Sequence, residues 1–299
     1  MELRHLRYFI AVAEEGSLTV AAEKRLFTAQ PSLSRQIRDL EDEVGVPLMT
    51  RSARGIELTA AGRAFLDHAR LALNQVEAAA EAARRVAIPA KPTFAVGFLT
   101  GQEVDWLPGT LCVLRDELPD IEITVSSQHS PDLASALVKG KLDAAFMRAE
   151  RDMPNLEYVV VAKERFVVVM PSDHRLAANQ EVDVKELAGE TFIGASDIAG
   201  PMRAAIEGYL SASGVDLQPE HRIHNLTMAM SLIASTRGVA LLPAYAENFL
   251  PWSVTSRPLR GEPPTIDLVI GYNSTNSSPI LKLLLSRVDE LIRNASRKR

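Results

Sequence analysis

Apolar residues in the first third of the chain recur at the spacing of amphipathic helices. A first helix carries Leu3, Leu6, either Phe9 or Ile10, and Ala13 on its apolar face and ends at Gly16. Ser17 can cap a second helix with the sequence LTVAAEKRL, whose adjacent alanines allow another helix to pack closely. The pattern therefore predicts two short helices joined by a tight turn.

The third helix has two faces of opposite character. Leu33, Ile37, Leu40 and Val44 predict a buried stripe, and Gly45 ends the helix. The opposite face, near the N-terminus, carries donors, acceptors and positive charge at Gln30, Pro31, Ser32, Ser34, Arg35 and Arg38. Later charges on the same helix are acidic, so a surface suited to an anion is confined to its beginning.

A hairpin and a long helix are predicted next. In VPLMTRSARGIELT, Arg51 and Arg54 lie in the connection between two short strands. Thr59 then caps a helix over residues 60 to 88, which the prolines of a hinge at residues 89 to 92 end. Apolar positions in steps of four and three form a coiled-coil seam of Leu58, Gly62, Phe65, Ala69, Ala72, Val76, Ala79, Ala83 and Val86. The seam predicts a dimer, although a helix packed on its own domain would carry a similar stripe.

From Thr93 onward the pattern changes to short strands separated by helices. TFAVGFL, IEITVSS and DAAFMR form one βαβ-type unit, and RFVVVMP, TFIGAS, HRIHN and GVALLP form a second. The last strand, TIDLVIGY, and the last helix return to the first unit. We predict a mainly parallel sheet in two lobes, lobe I over 93–163 and 264–299 and lobe II over 164–263, with a ligand cleft between them.

Composition and charge narrow the function classes. The 299 residues are 46% hydrophobic and 24% charged, which is typical of a globular protein, and the net charge of −5 argues against polyanion binding through overall charge. One cysteine, Cys112, excludes an intramolecular disulfide and a thiolate zinc cluster, and its apolar neighbours predict that it is buried. The N-terminus lacks the apolar core of a signal peptide, and no run approaches a membrane span, so we expect a cytoplasmic protein.

Three helices joined by tight turns and followed by a hairpin predict a winged helix-turn-helix. In that arrangement the third helix enters the major groove of DNA, and its first residues contact base edges. Arg35 and Arg38 can reach a phosphate or the guanine O6 and N7 atoms, and Arg51 and Arg54 would meet the DNA backbone. A solvated helix face is the alternative, and residues 1 to 60 contain one more acidic than basic residue.

A resemblance to a known family favours the DNA-binding interpretation. From residue 3 to residue 62 the frame A-A…L…QPSLSRQI…LE…G…L…R…R…LT-AG resembles the N-terminal domain of LysR-type transcriptional regulators. Two positions depart from the commoner pattern: Ala29 where many relatives have a capping serine, and Thr50 where an acid is usual. The rest of the chain resembles the effector domain of the family more loosely, in length and strand order.

The resemblance implies a fold class and a set of partners. Residues 1–58 would form an all-α winged helix-turn-helix DNA-binding domain, and residues 59–88 a linker helix that pairs antiparallel with its copy. Residues 93–299 would form an α/β, two-lobed effector-binding domain like the periplasmic binding proteins. The implied partners are a promoter operator with dyad symmetry in double-stranded DNA, a small-molecule effector and further copies of the chain in a homodimer or homotetramer. A contact with RNA polymerase is compatible with this assignment.

Loops at the carboxyl ends of the strands should line the cleft and bind the effector. The residues expected there are Thr100, Gly101, Gln102, Ser127, Gln128, Met147, Arg148, Ile198, Gly200, Pro201, Asn225 and Met228. Arg148 is the candidate partner of a carboxylate, and a surface ion pair with Glu150 is the alternative. The helix that begins at Gly200 could also hold an anion at its free N–H groups.

The sequence carries no sign of an enzyme. It has no G-x-S-x-G elbow, no phosphate-binding loop and no H-E-x-x-H motif, and His221 and His224 would fall on opposite faces of a strand. We therefore expect neither a cofactor nor a metal. The competing class is a cytoplasmic small-molecule-binding protein with a helical dimerisation arm and no specific DNA binding. Phrases such as MELRHLRYF and NL.M.MS resemble regulators of aromatic-acid catabolism, including the phenylpropionate type, which suggests a small, aromatic carboxylate as effector.

Overall fold

The computed structural model describes residues 1–52, 55–87, 93–151, 153 and 155–296, and the chain divides into two compact units, Met1–Ile88 and Pro89–Arg299. The first unit contains, in chain order, α1 (Leu3–Glu15), α2 (Leu18–Val20), a π-helical segment that continues it (Ala21–Leu26), α3 (Gln30–Val44), β1 (Met49–Ser52), β2 (Gly55–Leu58) and α4 (Ala60–Ala87). Gly16 and Gly45 end α1 and α3 in the left-handed conformation, with φ of 63° and 81°, which glycine adopts without a steric penalty.

The core of the first unit is the predicted stripe of α3 packed against α1. Leu33, Ile37 and Leu40 are buried. Val44 is not, with 37% of its surface exposed, because it lies one turn beyond Leu40, where α3 extends past the core. The expectation for Val44 was therefore wrong.

The long helix α4 divides into a part packed on its own unit and a part that is exposed there. The Phe65 ring meets Phe9 of α1 edge-on at 5.1 Å, and Gly62 and Ala69 are buried. Further along the seam Val76 and Ala79 are exposed. The start of α4 therefore packs on its own unit, which was the alternative to a dimer contact. The later part of α4 keeps an apolar stripe that this unit does not cover.

Hydrogen bonds between side chains and backbone groups hold the hairpin against α3 and cap α4. Oε1 of Glu41 on α3 accepts hydrogen bonds from the backbone N–H groups of Leu48, at 2.7 Å, and Met49, at 2.9 Å. The Thr59 hydroxyl accepts from the Gly62 N–H at 2.9 Å and so caps α4, as predicted. Gly62 passes so close to the hairpin that a Cβ there would lie 1.9 Å from the Leu48 carbonyl oxygen.

The second unit alternates strands and helices. Its strands are β3 (Thr93–Leu99), β4 (Glu122–Gln128), β5 (Ala144–Met147), β6 (Leu156–Pro171), β7 (Phe192–Ala195), β8 (His221–Ile223), β9 (Val239–Pro243), β10 (Val254–Pro258) and β11 (Thr265–Asn273). Its α-helices are α5 (Glu103–Glu117), α6 (Ser130–Val138), α7 (Gly200–Ala212), α8 (Leu226–Thr236), α9 (Pro279–Ser286) and α10 (Val288–Ser296).

The sheet is mixed rather than mainly parallel. Its order is β4-β3-β5-β11-β6-β9-β7-β8, with β10 beside β6. The pairs β3–β4, β3–β5, β7–β8 and β7–β9 are parallel, whereas β6 and β11 pair antiparallel with each other and with their other partners. The expectation failed because the sixteen-residue β6 and the nine-residue β11 run through both halves of the unit, so only the strands outside them keep the βαβ arrangement.

Separate hydrophobic clusters lie in the two halves of the unit. Phe94, Phe98 and Phe146 belong to the first half, in a cluster that Leu268 of β11 joins. In the second half, Phe166 of β6 and Ile266 of β11 join a different cluster. The chain therefore passes from one core to the other within β6 and again within β11.

Cys112 is exposed, which corrects the expectation from its apolar neighbours. The buried residues of α5 are Trp106, Thr110, Val113 and Leu114, spaced as one helical face. Cys112 falls outside that face, and the helical period rather than the adjacent sequence decides its exposure. Among the described helices, none is both long and apolar enough to cross a membrane.

Candidate functional site

The outer face of α3 in the first unit is polar and accessible. Pro31, Ser32, Arg35 and Arg38 are exposed, and Gln30 and Ser34 are half-buried. The Arg35 side chain is 79% exposed, and its Nε lies 4.0 Å from Oδ2 of Asp39. Because such exposed pairs contribute little free energy, the Arg35 guanidinium can exchange Asp39 for another anion at small cost.

The N-terminus of α3 offers few backbone donors, because Pro31 has no N–H group and the Ser32 N–H donates to the Ala29 carbonyl oxygen at 3.0 Å. Its N-cap, Ala29, makes no side-chain capping bond, as its sequence indicated. Just before this terminus, Phe27 is 88% exposed and has a left-handed backbone with φ of 49°.

The hairpin of β1 and β2 would form the wing of the winged helix-turn-helix. The strands β1 and β2 pair antiparallel, with Arg51 opposite Ile56. The side chain of Arg51 and the whole of Arg54 lie outside the described residues. Their contact with a DNA backbone therefore stays a prediction.

A cleft in the second unit lies between the carboxyl ends of the strands and α7. It holds about 730 Å³ of space between protein atoms, open solvent at its mouth included. Five of the residues expected from the sequence line it: Thr100, Arg148, Ile198, Pro201 and Asn225. Apolar side chains, including those of Leu99, Met202, Leu226 and Leu242, form much of the remaining wall.

Other expected residues lie near the cleft without lining it: Gly101, Gln102, Ser127, Gln128, Met147, Gly200 and Met228. Met147 is fully buried in a core cluster with Leu133 and Leu137, since successive residues of a strand point to opposite faces. The Met147 side chain therefore points away from the Arg148 side of the strand, which corrects the sequence-based assignment. Gln102 is also fully buried.

Arg148 has a carboxylate partner that the sequence did not suggest. Its Nη2 forms a buried ion pair with Oε2 of Glu164, whose side chain is fully buried. The amide Nε2 of Gln102 donates to both Glu164 oxygens at 3.1 Å. The alternative of a surface pair with Glu150 was wrong, because Arg148 is only 6% exposed and Glu164 holds it.

The Arg148 guanidinium also faces the ring of Tyr245, with 5.9 Å between its carbon and the ring centroid. Burial raises the pKa of the Tyr245 hydroxyl to about 12, although the Arg148 charge acts to lower it. Tyr245 is therefore neutral at physiological pH. An aromatic wall and a fixed cation thus meet at one end of the cleft.

Two polar atoms of this cleft have no hydrogen-bond partner among the described residues. They are Nη1 of Arg148, a donor, and Oε1 of Glu150, and both atoms are buried. Burial also raises the pKa of the Glu150 carboxyl above its ordinary value. Unpartnered buried polar atoms are costly, which favours a ligand or water that supplies the missing bonds.

The sequence analysis missed several groups at this site. Glu164, Tyr245 and His224 surround or support Arg148, and Glu150 was considered only as its ion-pair partner. The available signal was the alternation of β6, which places Glu164 on the same face as Ala162 and Phe166, with the exposed Lys163 and Arg165 on the other face. His224 lines the cleft while His221 is exposed on β8, and among the described residues no cluster of three potential ligands could hold a metal ion.

Comparison with known families identifies the class of protein. Residues 3–63 match the family model described as bacterial regulatory helix-turn-helix protein, lysR family, and residues 89–292 match the LysR substrate binding domain. Together with the helix-turn-helix and the two-part cleft unit, these matches define a ligand-responsive DNA-binding regulator. The chain belongs to the LysR family of transcriptional regulators.

Individual relatives agree over nearly the whole chain. The chain is 36% identical to the Hca operon transcriptional activator of Escherichia coli (strain K12) over 291 residues, 97% of this chain and 98% of the relative. The crystal structure of full-length BenM, a regulator known from Acinetobacter baylyi, has a TM-score of 0.60 at 27% identity and covers 99% of this chain and 98% of its own. Full-length CbnR complexed with its target DNA has a TM-score of 0.58 at 25% identity and covers 98% of this chain and all of its own.

These relatives are transcriptional regulators and not enzymes. The match of residues 3–63 to a DNA-binding model favours the regulator over a small-molecule-binding protein that has a dimerisation arm and no specific DNA binding. The predicted fold class, family and absence of enzymatic function are thereby confirmed.

Proposed function

We propose that this regulator binds a dyad-symmetric operator through α3 and is controlled by a small aromatic carboxylate in the cleft of its second unit. The observation that carries the effector proposal is Arg148. It is a buried cation in an apolar cleft, and one of its donor groups, Nη1, has no partner among the described residues.

A carboxylate fits the free side of Arg148 better than a neutral ligand does. Guanidinium groups bind carboxylates through paired, charge-assisted hydrogen bonds. Glu164 already occupies Nη2, so an effector carboxylate would bind at Nη1 or compete with Glu164. The Tyr245 ring and the apolar wall favour an aromatic body, as does the resemblance of scattered sequence phrases to regulators of aromatic-acid catabolism.

On the DNA side, the proposed base contacts come from the first turn of α3. Gln30, Ser32, Ser34 and Arg35 would read base edges in the major groove, with Pro31 beside them. Arg38, Arg51 and Arg54 would bind phosphates. The accessibility of Arg35 and its weak pairing with Asp39 support this assignment.

A dimer would present two copies of the α3 surface to the DNA, one for each half of the operator. We propose a dimer through the exposed later part of α4, assembled further into a homotetramer, because a dyad-symmetric operator requires a symmetric reader. The protein would act in the cytoplasm, where chromosomal DNA is accessible and where it could also contact RNA polymerase.

Titration calorimetry on the full chain with benzoate, cinnamate and 3-phenylpropionate tests the effector class. We expect at least one acid to bind with micromolar to millimolar affinity, about 4–8 kcal/mol. The double variant Arg148→Met/Glu164→Gln should lose that binding. It removes both members of the buried pair, because deleting Arg148 alone would leave Glu164 with an uncompensated buried charge.

Two results would count against the proposal. Binding of none of the acids would exclude the aromatic carboxylate class, while leaving the family assignment intact. Equal binding by the double variant would place the carboxylate elsewhere, with the start of α7 at Gly200 and Pro201 as the remaining candidate.

A further inference from the structure

Glu150 is the second polar group in the cleft that the fold leaves without a partner. Its Oε1 is buried and makes no hydrogen bond among the described residues, and the residue lines the same cavity as Arg148. A carboxylate oxygen in a partly apolar cavity loses its hydration, which only a hydrogen-bond donor can replace. The groups that line the cleft from other elements include His129 of the loop before α6 and His224 of the loop after β8.

Glu150 is held in place by its backbone while its carboxylate stays available. The Tyr158 hydroxyl donates to the Glu150 carbonyl oxygen at 3.2 Å, which fixes the main chain of this loop. The natural cationic partner, Arg148, is taken by Glu164. The cleft therefore presents a donor, Arg148 Nη1, and an acceptor, Glu150 Oε1, that do not satisfy each other in the free protein.

We propose that Glu150 is a specificity-determining residue that selects an organic acid bearing a second, hydrogen-bond-donating group. The carboxylate of this ligand would bind Arg148, and its hydroxyl or ammonium group would bind Glu150. This inference rests on the proposed function, because it assumes that an acid binds in this cleft. It adds that a plain aromatic acid is an incomplete ligand.

Compounds that share the carbon skeleton of 3-phenylpropionate can show whether the donor is a hydroxyl or an ammonium group. 3-Phenylpropionate lacks a second donor, its three ring-hydroxylated isomers add a phenol, and phenylalanine adds an ammonium group beside the carboxylate. An acid without a donor leaves Glu150 unpaired in the cleft, whereas an acid with a donor forms the missing hydrogen bond. This difference is expected to change the affinity by about tenfold or more. Wild-type calorimetry on the full chain should therefore show at least one donor-bearing acid binding about tenfold or more tightly than 3-phenylpropionate.

The variant Glu150→Met removes the acceptor and keeps a side chain of similar length. It should bind the preferred acid and 3-phenylpropionate with affinities within about twofold of each other, because the group that distinguishes them is gone. Glu262→Met, an exposed acid outside the cleft lining, is the matched control and should keep the wild-type preference. Thermal unfolding of each variant shows that the comparison is made on folded protein.

The outcomes separate the two proposals. If every acid binds the wild type with the affinity of 3-phenylpropionate, the role of Glu150 is overturned and the aromatic-carboxylate effector stands. If the preference survives in Glu150→Met, another group reads the donor and the inference is wrong. If no acid binds the wild type, both this inference and the proposed effector class fail. If Glu150→Met does not fold, Glu150→Gln, which keeps the size of the side chain and loses its charge, should reduce the same preference, and an undiminished preference would overturn the inference.

Discussion

Arg148 illustrates how a single residue can be identified by its chemistry while its surroundings remain hidden in the sequence. Its place after the apolar strand DAAFM suggested a cleft residue, and the structure brings it there. Its partner Glu164 is sixteen residues away, at a point where β6 changes from one core to the other. Hydrophobic periodicity predicts which face is buried but not which buried charges will meet, because that pairing depends on tertiary packing.

Replacing Glu164 by Gln should strengthen acid binding. The substitution removes the carboxylate that competes for Arg148 and keeps an amide of the same shape, so the full guanidinium becomes available. Calorimetry should show the affinity for an aromatic acid rising by about tenfold, equivalent to about 1.4 kcal/mol. Exposed Glu181→Gln, remote from the cleft, serves as the control. An unchanged or weaker affinity in a folded Glu164→Gln protein would show that Glu164 does not restrain the cation.

Gly62 is a position where space, not backbone conformation, requires glycine. Gly62→Ala would place a Cβ 1.9 Å from the Leu48 backbone oxygen, so the hairpin and α4 must separate. We expect the free energy of unfolding to fall by about 1–3 kcal/mol or more. Gly208→Ala lies inside α7 with nothing within 4 Å and should be neutral or stabilising by up to about 1 kcal/mol. Denaturant unfolding compares them, and equal stabilities for Gly62→Ala and wild type would disprove the contact.

At the scale of elements, the helices were predicted well and the long strands were not. The apolar stripe and the terminal glycines located α1 and α3 because helix ends have local chemical signals. The first half of β6, Leu156–Arg165 in its pairing with β11, was missed since its burial follows no simple alternation. Glu164 lies in this unpredicted half of β6, and the predicted site therefore lacked the partner of Arg148.

A charged cluster holds α1, α4 and the segment after α2 together. Arg70 of α4 donates to Glu14 of α1 at 2.6 Å, and Arg25 lies 2.5 Å from the other Glu14 oxygen. Burial acts to raise the pKa of Glu14, but the hydrogen bonds from Arg70 and Arg25 outweigh it, so the pKa is lowered from its ordinary 4.5. The ionised form is therefore favoured in the folded state.

The sign of this shift sets a pH dependence. A carboxyl with a lowered folded-state pKa adds stability above its unfolded pKa and loses it as the pH falls through the folded value. Wild-type protein should therefore lose stability as the pH falls below about 4.5, and Glu14→Gln should lose less over the same range. Glu23→Gln, an exposed acid of the segment after α2, is the control. Identical pH profiles for wild type and Glu14→Gln would contradict the role of the cluster.

The later part of α4 supplies the proposed dimer contact. Val76→Glu with Ala79→Glu places two charges on the exposed apolar stripe, where a symmetry mate would bury them without partners. Sedimentation equilibrium should show a smaller species than the wild type. Asn74→Glu with Ala78→Glu adds the same charge to the other side of the helix and should keep the wild-type mass. If both pairs of substitutions leave the mass unchanged, the stripe does not form the dimer.

At the scale of the whole molecule, the function depends on linking a cleft to a DNA-binding surface. A ligand shifts an equilibrium between two protein states only by the difference in its affinity for them, commonly about 1–3 kcal/mol. The buried pair of Arg148 and Glu164 is suited to such a difference, because an incoming carboxylate changes the partners of a charge fixed between two cores. The family and fold could be predicted from the sequence, whereas this balanced charge required the structure.

The most direct test is a fluorescence-anisotropy titration of the full chain on promoter DNA from a neighbouring, divergently transcribed gene, with and without the acid that binds most tightly in calorimetry. We predict sequence-specific binding that Arg35→Ala and Ser34→Ala each weaken by about 1–3 kcal/mol per half-site, while Arg115→Ala, an exposed arginine of the second unit, leaves it unchanged. The acid should change the wild-type operator affinity by about 5–150-fold and have no effect on the Arg148→Met/Glu164→Gln variant. Equal affinity for promoter and unrelated DNA, or an operator affinity that the bound acid leaves unchanged, would contradict the account.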